Sequence, residues 1–72
     1  MDLSIIGKNI KKIRLEQSLT QEDLAKSSTV PFTTITKLEN GVIKNPSIEK
    51  LLKISGALKI PIDSLLKGVN NK

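Results

Sequence analysis

The stretch QEDLAKSSTVPFTTITKLENG, from Gln21 to Gly41, constrains the fold more than any other part of the chain. It holds two short helical patterns joined by the turn-like Ser27-Ser28-Thr29. The first pattern, Gln21 to Lys26, turns Leu24 and Ala25 inward. The second runs from about Pro31 to Glu39, with Ile35 and Leu38 on one face and Phe32, Thr33, Thr36 and Lys37 on others. Thr20 is an N-cap for the first, with Glu22 and Asp23 beside the positive end of the dipole and Asp23 placed for a capping box. Pro31 suits the first turn of the second, and Gly41 can supply a left-handed C-cap. Helices this short do not persist alone in water, so the rest of the chain has to hold them.

That scaffold is also helical. From Leu3 to about Gln17, Ile6, Ile10 and Ile13 recur at i, i+4, i+7, with Ile5 widening the stripe and Lys8, Lys11 and Lys12 opposite. Gly7 costs such a helix about 1 kcal/mol relative to Ala, which points to a close contact with another helix. Leu15 falls off the stripe and is expected to be exposed. After a polar loop, Ser47 caps a fourth helix with a wide apolar face of Ile48, Leu51, Leu52, Ile54 and Leu58, and Gly56 on its outer side. Pro61 breaks the pattern, and Ile62 to Lys67 can form a fifth helix with Leu65 and Leu66 inward, stopped by Gly68. No stretch reads as a strand. The expectation is an all-α, compact five-helix domain spanning residues 1–72, with its core at about 4–67 and a frayed tail at 69–72.

Composition narrows the chemistry. Phe32 is the only aromatic residue, so the core has to be aliphatic. Cys and His are absent, which removes disulfides, thiolate nucleophiles, the usual zinc sites and imidazole acid–base chemistry. No metal, cofactor or catalytic residue is expected, and no enzyme activity. The 12 Lys and Arg against 7 Asp and Glu leave a net charge of +5, which favours a polyanionic partner. No apolar run reaches the roughly 18 residues of a membrane span, and the N-terminus lacks a signal-peptide layout. The basic residues are spread over several helices, which disfavours a membrane surface. A cytoplasmic location is expected.

Taken in order, Gly7, Ile10, Ile13-Arg14, Leu19-Thr20-Gln21, Asp23-Leu24-Ala25, Ile35, Leu38-Glu39-Asn40-Gly41, Pro46, Leu58 and Leu65-Leu66 resemble the Cro/C1-type (XRE-like) helix-turn-helix family. This family includes the lambdoid phage repressors, and the resemblance covers about residues 4 to 67. It implies a lambda repressor-like DNA-binding fold with the third helix in the major groove of double-stranded DNA. Phe32, Thr33, Thr36 and Lys37 would then reach base edges, with phosphate an equal alternative for Lys37 and a core position the alternative for Phe32. By the same resemblance Gln21 donates to a phosphate. Asn40, Lys44, Asn45 and the backbone amides near Ser47 are further phosphate candidates. The resemblance also implies an ion pair between Arg14 and Glu39 that ties the first helix to the end of the third. Three positions depart from the family pattern. Thr29 and Lys59 replace common glycines at sites expected to be left-handed, and Pro31 replaces a hydroxyl cap.

The function these features imply is a sequence-specific, repressor-type transcriptional regulator of bacterial, phage or plasmid origin. Limited phosphate contact per domain favours a homodimer on a two-fold operator. Ile60, Ile62, Leu65, Leu66 and Val69 exceed what a short last helix needs and are the expected dimer interface. The alternative is an antitoxin or anti-repressor module that uses the same fold to bind a protein partner.

Overall fold

The computed structural model describes residues 3–69; the expected frayed tail lies, from residue 70 onward, outside the described residues. Four α-helices form: α1 (Ile5–Glu16), α2 (Gln21–Ser28), α3 (Phe32–Glu39) and α4 (Ile48–Leu58). Among the described residues there is no strand, and no helix is long and apolar enough to cross a membrane. α1 packs against α3, while α2 lies against both α3 and α4.

The expected fifth helix is instead a single 3-10 turn, Ile62–Ser64. Its bonds run i to i+3: Ser64 N to Pro61 O at 3.0 Å, Leu65 N to Ile62 O at 2.9 Å and Leu66 N to Asp63 O at 3.1 Å. Between Pro61 and the left-handed Gly68 (φ 90°) too few residues remain to offset the cost of starting an α-helix. α2 runs two residues beyond Lys26, because Ser28 turns inward and its Oγ accepts from the Val30 amide at 3.3 Å. Pro31 stands at the cap rather than inside α3, and its carbonyl accepts from Thr34 and Ile35.

The core is aliphatic: Ile6, Ile10, Leu24, Val30, Ile35, Leu38, Leu51, Ile54, Leu58 and Leu65. Each fully buried chain of this kind contributes about 1.5–3 kcal/mol relative to exposure. Gly7 makes the close contact that its place in a helix implied, since a Cβ there would overlap the Leu38 carbonyl. The C-terminal segment is strapped to α1: Asn9 Nδ2 donates to the carbonyls of Leu65 and Lys67, each at 2.8 Å. Gln17 Nε2 donates to Leu58 O at 2.7 Å.

Two apolar faces differ from expectation. Leu65 has no exposed surface, so it belongs to the protomer's own core and not to a dimer interface. Ile60, Ile62, Leu66 and Val69 are half-buried and packed against that core. On α4 the inner face is narrower than expected, formed by Leu51, Ile54, Ser55 and Leu58, whereas Ile48 and Leu52 are 63% and 55% exposed. Ser55 takes an inner position because its Oγ bonds to Leu52 O at 3.0 Å, which removes the penalty of burying a hydroxyl.

Candidate nucleic-acid interface

The motif is set by its caps. Thr20 Oγ1 accepts from the Asp23 amide at 3.0 Å, and Asp23 Oδ2 accepts from the Thr20 amide at 2.9 Å, a complete capping box. The Thr20 backbone amide and hydroxyl hold the Asp23 carboxyl below its usual range. Between α2 and α3 the chain turns through Thr29 in the left-handed region (φ 57°), the conformation its position implied. α3 ends in a Schellman motif around Gly41 (φ 79°), with Val42 N bonding Lys37 O at 2.9 Å and Gly41 N bonding Leu38 O at 3.2 Å.

With Ile35 and Leu38 in the core, α3 turns Phe32, Thr33 and Lys37 to solvent. Phe32 is 46% exposed, so the core alternative for it does not apply. Thr36 is half-buried, and its one hydroxyl proton goes to Phe32 O at 3.0 Å. The 3.4 Å approach of Thr36 Oγ1 to Gln21 Oε1 is therefore a contact, because a hydroxyl carries a single proton. Thr36 thus presents its methyl and a lone pair rather than a free donor.

Beneath this row lies the brace. Arg14 Nε donates to Glu39 Oε2 at 2.8 Å and Arg14 Nη2 to Glu39 Oε1 at 3.0 Å, a bidentate pair. The two side chains are 7% and 1% exposed. Arg14 Nη1 donates to Leu19 O at 2.7 Å, so the guanidinium also pins the α1–α2 connection. The hydrogen bond to Glu39 raises the Arg14 pKa further above its already high ordinary value. Gln21 joins this network, its Nε2 donating to Glu39 Oε1 at 3.0 Å. An amide nitrogen has two hydrogens, so one is left for another acceptor.

Asn40, Lys44, Asn45 and Ser47 are all exposed on the segment that follows α3. Ser47 caps α4, its Oγ accepting from the Lys50 amide at 3.3 Å. One feature escaped the sequence reading. Leu15, 56% exposed, lines a shallow groove together with Phe32, Leu19 and Gln21. Its position one residue after the buried Arg14 signals exposure, but nothing in the sequence shows that Phe32 lies beside it.

A capped helix pair, a short turn, an outward row on the second helix and an ion pair locking that helix to α1 define a helix-turn-helix domain. The Helix-turn-helix family model matches residues 10–65. The chain belongs to the Cro/C1-type (XRE-like) helix-turn-helix family. It is 32% identical over 62 residues to the HTH-type transcriptional regulator SinR of Bacillus subtilis, covering 86% of this chain and 56% of SinR. It is 35% identical over 60 residues to the HTH-type transcriptional repressor RghR of the same organism, covering 83% of this chain and 44% of RghR. The chain spans about half the length of the curated relatives it matches. Its fold is similar to the N-terminal DNA-binding domain of SinR, with a TM-score of 0.86 and 29% identity, covering 94% of this chain and 99% of that one. It is also similar to the restriction-modification controller protein C.Esp1396I, solved as a tetramer with its natural 35-base-pair operator. There the TM-score is 0.76 and the identity 37%, over 90% of this chain and 95% of that one.

Proposed function

We propose that this chain is a sequence-specific DNA-binding transcriptional regulator of repressor type, acting in the bacterial cytoplasm as a homodimer. α3 enters the major groove and presents Phe32, Thr33 and Lys37, with the Thr36 methyl, to base edges. Gln21, Asn40, Lys44, Asn45 and the α4 N-terminus at Ser47 hold the flanking phosphates. The observation that carries this reading is the exposed Phe32-Thr33-Lys37 row on a helix fixed from behind by the buried Arg14–Glu39 pair. A rigid platform is what a groove reader requires, because base contacts discriminate only when donor and acceptor positions are fixed. Likeness to SinR, RghR and an operator-bound controller protein supports the same reading.

The dimensions of the domain are compatible with a dimer. The domain measures 34 × 22 × 20 Å, so two copies side by side place their α3 helices on the scale of one DNA turn, about 34–36 Å. Fluorescence anisotropy with labelled duplex at rising salt tests the DNA reading. Log affinity falls steeply and linearly with log salt if phosphates are neutralised. No binding at low salt would overturn it. The apolar Leu15–Phe32 groove favours a second reading, an antitoxin- or anti-repressor-like module that docks a protein. Such a module would be the answer if duplex binding were absent.

A further inference from the structure

On α4, three outward positions have no use inside the protomer. Ile48 and Leu52 lie one turn apart, 63% and 55% exposed. Gly56, one turn further on, is also exposed, and a Cβ added there would meet nothing within 4 Å. The other glycines among the described residues have local reasons: Gly7 a backbone contact, Gly41 and Gly68 a positive φ. A helical glycine facing open space weakens its own helix, and its Cα side meets nothing within the chain. Ile48, Leu52 and Gly56 thus form one stripe of two bare aliphatic chains followed by a notch. Glu49 and Lys53 border it on one side, bonded i to i+4 at 3.7 Å.

We infer that a second copy of this chain covers this stripe, in an antiparallel α4–α4 contact centred on Leu52. The inference rests on the homodimeric reading above and assigns its interface. A two-fold axis at Leu52 sets Ile48 of each copy over the Gly56 notch of the other and packs Leu52 against its own symmetry mate. Self-complementarity of this kind is what an isologous dimer demands. The same operation turns the Glu49 end of each α4 toward the Lys53 end of the partner helix, so the polar border is complementary in charge as well. The C-terminal set is a poorer interface, since Leu65 is sealed and Ile60, Ile62, Leu66 and Val69 already pack on the core.

Sedimentation equilibrium and single-cysteine crosslinking of the full chain, with and without duplex DNA, test the assignment. Leu52→Glu raises the dimer dissociation constant roughly thirtyfold or more, as expected for a central interface residue, with the helix content of the monomer unchanged. Because the chain has no cysteine, Leu52→Cys should form a symmetric disulfide dimer under mild oxidation, and Lys12→Cys on α1 should not. A dimer as tight in Leu52→Glu as in wild type, or one in which Leu52→Cys fails to crosslink, overturns the α4 assignment alone. A wild-type chain that stays monomeric even on duplex DNA overturns the homodimeric reading along with it.

Discussion

At the scale of single residues, Arg14 and Glu39 do the most to hold the domain in one arrangement. A charge this shielded is tolerated only because each partner satisfies the other, so deleting one leaves an uncompensated ion in the interior. Arg14→Ala or Glu39→Gln should lower the unfolding free energy by about 3–5 kcal/mol, measured by urea denaturation. For a chain of 72 residues that loss approaches the whole stability. Asp23 makes a smaller, pH-dependent contribution. Its folded carboxyl lies below the unfolded value, so its stabilising effect is present at neutral pH and is lost as pH falls through the folded value. Asp23→Asn should therefore flatten the acid limb of thermal midpoint against pH; an unchanged acid limb would remove Asp23 from the capping account. On the proposed function, Lys37 and Thr33 are base-contacting residues. Lys37→Ala and Thr33→Ala should each relax preference at one operator position per half-site, at about 1–3 kcal/mol of discrimination. Uniform weakening over all sequences would make them phosphate contacts.

At the scale of elements, all four helices stop on a left-handed residue, and only one of these is a glycine. Ser18 (φ 59°), Thr29 (φ 57°) and Lys59 (φ 58°) adopt the conformation that Gly41 adopts freely. Thr29 is the most strained because it is β-branched, and its hydroxyl is bonded to Ser28 O at 2.6 Å. Thr29→Gly should raise stability by roughly 0.5–1 kcal/mol, readable as a higher denaturant midpoint. Gly7→Ala should do the reverse by about 1–3 kcal/mol, because α1 must move off the Leu38 carbonyl. The caps were legible in the sequence because capping is a matter of neighbours: Thr20, Asp23, Gly41 and Ser47 all act where expected. The left-handed sites at Thr29 and Lys59 were visible only through the family resemblance, and Ser18 was not anticipated. The fifth helix failed because its apolar pattern fits a helix, while Pro61 and Gly68 leave space for only one 3-10 turn. On α4 the apolar residues exceed one face, and periodicity alone does not say that Ser55 goes in while Ile48 and Leu52 stay out.

At the scale of the whole molecule, the aliphatic core and the outward row on α3 follow from one partition. Ile35 and Leu38 lie inside, which leaves Phe32, Thr33 and Lys37 on the surface. That much was readable from the spacing between Gln21 and Gly41. The Gln21–Glu39 bond and the Leu15–Phe32 groove were not, because each joins positions far apart in the chain. On the proposed function, a net charge of +5 supplies attraction to any duplex and the braced helix supplies selectivity. The most direct test of that division is selection of bound duplexes from a random pool by the wild-type chain. The account predicts recovery of a two-fold related motif with half-site centres about one DNA turn apart. Retention of the pool without enrichment of any motif, or no retention at low salt, would contradict it.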